Sequence, residues 1–176
     1  MKQRSILWQA AGFAAVTFGG TILHFLYDWT GGNILVSPIS GVNESTWEHM
    51  KLLFWPLFLF ALVQWLYFKD TPNYWCVKLA EILLGLILIP VLFYTYNGVF
   101  GKSPDWINIT IFYITAALVF LFEWWAIKND RLQCGYSRLA FATICFIGVL
   151  FVLFTFAPPQ IPLFQDPLTG TCRISR

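Results

Sequence analysis

The sequence predicts an all-α integral membrane protein, a bundle of five transmembrane helices with its N-terminus inside and its C-terminus outside. Three observations predict it. The 176 residues are 58% hydrophobic and only 11% charged, against about 25% charged in soluble domains. Apolar runs of about 20 residues, the length that crosses a bilayer core, recur five times between polar turns. The basic residues sort by turn: Lys2, Arg4, Lys69, Lys78, Lys128, Arg131 and Arg138 fall on one side, Lys102, Arg173 and Arg176 on the other. The positive-inside rule then orients the chain. A net charge of +2 is too small to attract nucleic acid, so the expected partner is the lipid bilayer. The whole chain, 1–176, reads as one transmembrane domain of the cell (cytoplasmic) membrane.

The first span covers about residues 6–27. A signal peptide would have a shorter apolar core, about 7–15 residues, followed by a small-residue cleavage site; here the run continues into Phe25-Leu26-Tyr27. Ala11, Ala15 and Gly19 fall at i, i+4 and i+8, with Gly12 and Gly20 beside them. Small residues on one stripe let helices approach closely in lipid. Packing within one chain is the first use of that stripe, and a homo-oligomer interface the alternative. The loop from Asp28 to Glu44 carries turn chemistry at Thr30-Gly31-Gly32-Asn33 and Ser37-Pro38. Its apolar centre, Ile34-Leu35-Val36, is expected at the membrane interface or against helix ends.

The second span, about 47–68, contains Pro56, which is tolerated in lipid as a kink. The third, about 75–96, contains Glu81 and Pro90 and ends at Asn97-Gly98. The fourth, about 106–127, contains Glu123, and the fifth runs over about 138–156. Pro158, Pro159, Pro162 and Pro167 forbid further helix, which leaves an extended outer tail, 157–176. Trp8, Trp29, Trp47, Trp75, Trp106, Trp124 and Trp125 lie near span ends, where interfacial tryptophans gather. Of the four cysteines, Cys76 and Cys134 fall inside, Cys145 in the membrane and Cys172 outside. No metal-finger spacing occurs, and no disulfide framework is expected.

Polar chemistry concentrates at the outer end. Asn43, Glu44, Ser45, Glu48 and His49 open the second helix, and His24 and Asp28 close the first; Asp166 of the tail falls on the same side. Ser45-x-x-Glu48 fits a capping box. His49 sits in the first turn of a helix, where the dipole favours neutral imidazole, the form that a metal or a general base requires. His24 and Asp28 are an i, i+4 pair, and a carboxylate on one ring nitrogen leaves the other for a ligand. Two His with Glu44 or Glu48 and an open position would suit Zn²⁺ or Fe²⁺ and could activate water for hydrolysis. The competing reading is a hydrogen-bonded knot that ties the loop to the helix ends. At the inner end Gln64, Glu81 and Glu123 lie within the spans. They either begin a proton or cation path, with Tyr94, Tyr96 and Tyr113 above them, or reach the interface near Lys78 and Lys128.

Several stretches together resemble the signature of an uncharacterised family of small prokaryotic multi-pass membrane proteins. They are His24-Phe25-Leu26-Tyr27-Asp28-Trp29, the run from Val42 to Leu52 that contains Asn43-Glu44-Ser45-Thr46-Trp47-Glu48-His49, Phe93 to Gly98, and Phe154 to Gly170. The resemblance covers nearly the whole chain and implies a bacterial-type cytoplasmic membrane and no activity. The final Thr171-Cys172-Arg173 departs from that family's aromatic–glycine ending. Helix number, length and tryptophan content are also similar to those of the tryptophan-rich sensory (translocator) proteins, but their tryptophan–proline motif after helix one is absent. Three functions stay open: a polytopic protein with an outward metal or small-ligand pocket, the metal-dependent membrane hydrolase being its enzyme form; a small proton- or cation-coupled transporter; and a structural or accessory membrane subunit.

Overall fold

The computed structural model describes residues 2–69, 71, 73–129, 132, 134–172 and 174, with side chains from residue 6 onward. Asp70, Pro72, Arg131, Arg173 and Arg176, which entered the turn and charge readings, lie outside the described residues. Each predicted span is a helix: α1 (Lys2–Trp29), α2 (Thr46–Phe68), α3 (Tyr74–Phe100), α4 (Asp105–Lys128) and α5 (Ser137–Phe156). All five are long and apolar enough to cross a membrane, which marks a multi-pass membrane protein. The tail, expected to be extended, folds back in a 3₁₀ turn, Pro162–Phe164, and in a second turn at 167–169 closed by the Asp166 backbone.

Successive helices alternate in direction, so the bundle has two ends. The α1–α2 loop, the α3–α4 turn and the tail share one, called here the loop end. The N-terminus and the α2–α3 and α4–α5 connections share the other, the basic end. α1 stops where Gly31 and Gly32 take φ of +67° and +78°, a left-handed backbone that glycine adopts without strain. α3 runs past the predicted stop at Asn97-Gly98 because Asn97 turns its amide back onto the Phe93 carbonyl, 2.7 Å away, and stays helical. Gly101, at φ +83°, ends it instead.

α2 packs against every other helix, and its Leu53, Phe54 and Leu57 are fully buried. They meet Val16 of α1, Ile82, Leu86 and Ile89 of α3, Val119 and Phe120 of α4, and Ile144 and Phe151 of α5 in one core. The close-packed stripe of α1 is Gly12, Val16 and Gly20, all buried, whereas Ala11 and Ala15 are exposed. Of the predicted stripe, Gly19 does pack closely, a Cβ there standing 3.1 Å from Pro56, while Ala11 and Ala15 lie one residue, about 100° of helix rotation, off the contact line. Bulky partners on the facing helices decided the difference. Phe60 and Phe120 fill the space above Gly12, and Phe112 and the Leu52 carbonyl fill that above Gly20. Leu52 O is the acceptor that Pro56 leaves without its i+4 donor. The close approach of Gly20, where a Cβ would stand 3.0 Å from that oxygen, covers it with α1 backbone.

Three further expectations change. Trp47 is buried against Phe151 and Phe164, with ring centroids 4.5 Å away in each case, so it anchors the tail to the core rather than marking an interface. Within the loop, Ile34 and Leu35 are exposed, so of the two expected places for them the helix ends are ruled out and the membrane interface is kept. Cys76 is joined to Cys134 by a disulfide across the basic end, while Cys145 and Cys172 are free. The expectation of no disulfide weighed pairs separated by the membrane and overlooked the pair that shares one side of it. α3 and the α4–α5 connection are held together there, and Asn73 Oδ1 also accepts from the Cys134 N–H.

Candidate functional site

The loop end is built around two anchors from α2. Lys51 is fully buried, and its ammonium contacts the Glu48 carboxylate at 2.6 Å, the Ser37 carbonyl at 2.8 Å and Thr155 Oγ of α5 at 3.1 Å. One helical turn later, Trp55 Nε1 donates to the Pro38 carbonyl at 3.0 Å. The 28–44 loop is thus tied down across the top of α2. On α1, Ser40 inserts its hydroxyl into the helix ladder: it donates to Leu23 O at 2.8 Å and accepts from Tyr27 N at 2.9 Å. These are the two groups that would otherwise bond each other across His24. Gly41 then packs on His24, and a Cβ there would lie 3.7 Å from Nδ1.

Glu44 is placed by the backbone on both sides of it. The Val42 N–H donates to Glu48 Oε2 at 3.0 Å, and the Ser45 N–H donates to Asn43 Oδ1 at 2.9 Å. Ser45 Oγ accepts from the Glu48 N–H at 3.4 Å, so Ser45 caps α2 as predicted. The reciprocal arm of the capping box differs. Glu48 passes Ser45 and reaches Val42, because the Lys51 ammonium pulls its carboxylate toward the loop and the Asn43 side chain already takes the Ser45 N–H.

His24, Glu44 and His49 converge. His24 Nε2 lies 4.0 Å from Glu44 Oε1, and His49 Nε2 lies 3.7 Å from Glu44 Oε2. The two imidazoles stand 5.9 Å apart between centroids, and one donor atom from each of the three residues falls within 4.8 Å of the others. His49 Nδ1 is 2.9 Å from the Ser45 carbonyl. A carbonyl only accepts, so Nδ1 carries a proton, and Nε2 is the ring nitrogen that faces Glu44. A ring nitrogen and a carboxylate at that distance can share a proton or a metal ion. All three side chains are roughly one-quarter exposed, at 27%, 27% and 22%.

They open into a cavity of about 570 Å³, within the ~300–1,000 Å³ range of small-molecule sites. α1 contributes Gly20, Thr21 and Phe25 to its wall, and the tail contributes Leu168. α4 contributes Asp105, Asn108, Ile109, Phe112 and Tyr113. The predicted pocket had walls from α1, α2 and the tail; α4 is the wall that sequence reading missed. Asp105, Asn108 and Phe112 share one face at i, i+3 and i+7, and that spacing at the start of the fourth span was the available signal. Asn108 is held by a relay across the α3–α4 turn: Asn97 Oδ1 accepts from Ser103 N at 2.8 Å, and Ser103 Oγ donates to Asn108 Oδ1 at 2.8 Å.

The other predicted site residues take different places. Glu48 is buried in its contact with Lys51 and stands outside the His24–Glu44–His49 cluster. Asn43 and Ser45 are buried capping residues, and Asp28 is exposed at the end of α1. Asp166 is buried and shapes the tail: its Oδ1 accepts from Leu168 N at 2.7 Å, and its backbone pairs with Gly170 and Thr171. That turn presents Leu168 to the cavity.

At the basic end Glu81 and Glu123 do meet, but not at an interface. Lys78 lies 2.8 Å from Glu81 and 2.6 Å from Glu123, and all three side chains are fully buried. Tyr74 OH donates to Ala61 O and Gln64 Oε1 beside them. The expectation that these groups reach the membrane surface near Lys128 is therefore overturned, because α2, α3 and α4 close over them. Tyr94 sits by Thr46 at the loop end and Tyr113 in the cavity wall.

This class of molecule, a five-span membrane protein with a His–Glu–His cluster over a cavity, can be placed by sequence. The chain belongs to a family of unknown function (DUF6512), whose model matches residues 1–174. No curated protein matches it. No solved structure matches it.

Proposed function

We propose that this is a cytoplasmic-membrane protein that binds a divalent transition metal, Zn²⁺ or Fe²⁺, at His24, Glu44 and His49 on the outer face. The metal would keep an open position toward the cavity. The observation that carries the reading is the convergence of three donor atoms within 4.8 Å on the wall of a ligand-sized space. Donors at about 2.1 Å from a tetrahedral ion stand about 3.4 Å apart, so binding draws the side chains in by about an ångström without moving a helix. The donor set supports a metal: two imidazoles and one carboxylate leave room for water or substrate. The Ser45 carbonyl on His49 Nδ1 is the usual outer partner of a ligating histidine. A metal in such a place supplies Lewis-acid activation of water or of a bound ester, and the hydrolase is the enzyme reading that follows.

The test is elemental analysis of protein purified in detergent, beside His24→Ala and His49→Ala, with Zn²⁺ protection against heat as a second readout. One equivalent of metal, lost in both variants, and a melting temperature that rises with Zn²⁺ only in the unsubstituted protein support the site. If no metal is found even after Zn²⁺ is added, the cluster is an imidazolium–carboxylate clasp and the reading is wrong.

A further inference from the structure

We propose that the cavity beneath His24, Glu44 and His49 receives a zwitterionic glycerophospholipid of the ethanolamine type, admitted sideways from the bilayer between α1 and α4. The inference rests on the cavity wall, so it stands or falls separately from the metal.

The wall is graded along the bundle axis. Its polar groups, His24, Glu44, His49, Asp105 and Asn108, lie at the loop end. One helical turn deeper, about 6 Å along each axis, it becomes apolar: Gly20 on α1, Leu52 on α2, Phe112 and Tyr113 on α4. The gradient has the same sense on antiparallel helices, because His24 ends α1 while Asp105 begins α4. A lipid standing in a bilayer has that same gradient, head at the surface and chain below.

The cavity also opens toward lipid. Thr21 and Phe25 on α1 and Ile109 and Tyr113 on α4 line it and are at the same time exposed, on helices apolar enough to span. A lipid therefore needs no passage through water to reach the wall. The volume of about 570 Å³ suits a head and the first part of one chain, with the remainder left in the bilayer.

Charge selects the head. Among the described residues the wall carries two carboxylates, Glu44 and Asp105, and neither Lys nor Arg. Such a lining disfavours a head of net negative charge relative to one whose phosphate is balanced by a primary ammonium, and Asn108 adds an amide for hydrogen bonding. Glu44 is shared with the proposed metal; Asp105, on the opposite wall, is the group that would pair with the amine.

The experiment is photo-crosslinking in phosphatidylcholine vesicles, with EDTA present so that metal plays no part. The probe is phosphatidylethanolamine bearing a diazirine on the first carbons of one chain. Thr21→Trp and Ile109→Trp fill the lateral opening from exposed positions that the fold does not depend on. The expected result is adducts concentrated on residues 20–25 of α1 and 105–113 of α4, reduced about fivefold or more by either tryptophan, the equivalent of about 1 kcal/mol. Asp105→Asn should lower labelling by the ethanolamine probe, and a phosphatidylglycerol probe should label the same residues weakly. Adducts spread evenly over the lipid faces of all five helices, or labelling unchanged by Thr21→Trp and Ile109→Trp, would overturn the lipid site. Equal labelling by the glycerol probe would overturn the choice of head.

Discussion

The two polar clusters of this bundle are made of similar groups and end in opposite states. At the basic end, Lys78 lies between Glu81 and Glu123 with all three side chains 0% exposed. At the loop end, Glu44 lies between His24 and His49 with each side chain about one-quarter exposed and a cavity in front. The first cluster brings its own cation. Lys78 sits within salt-bridge distance of both carboxylates, so α3 and α4 are cross-linked where neither lipid nor water could satisfy the charges. The second cluster has donor atoms within 4.8 Å of one another beside a cavity, and the groups against its carboxylate are imidazoles rather than an ammonium. Carboxylates in a membrane span are therefore not by themselves a site. Full burial around a lysine, against imidazoles beside open space, separates a clasp from a candidate binding centre. The Glu48–Lys51 pair belongs with the clasps, although it lies only a few residues from the cluster.

The largest expected effect is at the basic end. Lys78→Met leaves two buried carboxylates without their counter-charge and should cost about 3–5 kcal/mol, read as a large drop in detergent melting temperature or loss of folded protein. Glu123→Gln, which leaves a Lys–Glu pair, should cost clearly less. If both variants melt like the unsubstituted protein, the triad is not a clasp and the comparison fails. Lys51→Met should rank next. It removes the tie from Ser37 to α2 and α5 while the Trp55–Pro38 bond remains, at about 3 kcal/mol or more for an orphaned buried Glu48. Limited proteolysis should then cut near Ser37, while the basic end stays protected.

His49→Ala sharpens the contrast from the other side. Its basal melting temperature should change little, because the side chain is partly exposed and faces a cavity. The stabilisation by Zn²⁺, about 2.7 kcal/mol at a hundredfold excess over Kd, should vanish. A basal loss as large as that of Lys78→Met would return His49 to the structural class. Ser103→Ala removes only the hydroxyl that fixes Asn108 and should cost about 1 kcal/mol, seen as weaker capture of the ethanolamine lipid with Zn²⁺ protection intact. The smallest effect concerns orientation. A membrane-impermeant thiol reagent should label Cys172 from outside intact cells without altering stability, and labelling only after lysis would reverse the topology.

Much of the fold was legible because a bilayer constrains the chain harshly. Each span must satisfy its own backbone over about 30 Å of hydrocarbon, so length and hydropathy were enough to place five helices within a few residues. The site was legible in part. His24, Glu44 and His49 stood out because ionisable side chains are costly there and their positions fell at one end of the predicted bundle. Which of the neighbouring carboxylates joined them was not legible. Glu44 and Glu48 differ by four residues, and only the fold shows Lys51 reaching Ser37 and Thr155 and drawing Glu48 away.

By itself, then, the sequence determined the number and limits of the helices, the cap at Ser45 and the gathering of polar groups at the two ends. These follow from local rules of hydrophobic length, capping and turn chemistry, which each segment obeys independently of the others. The tertiary structure decided what depends on neighbours. The packed face of α1 is Gly12, Val16 and Gly20 because Phe60, Phe112 and Phe120 stand opposite. Glu81 and Glu123 share one lysine because α3 and α4 place them against it. The cavity has an α4 wall because Asp105 and Asn108, some eighty residues from His24 in the chain, arrive beside it only when the helices pack.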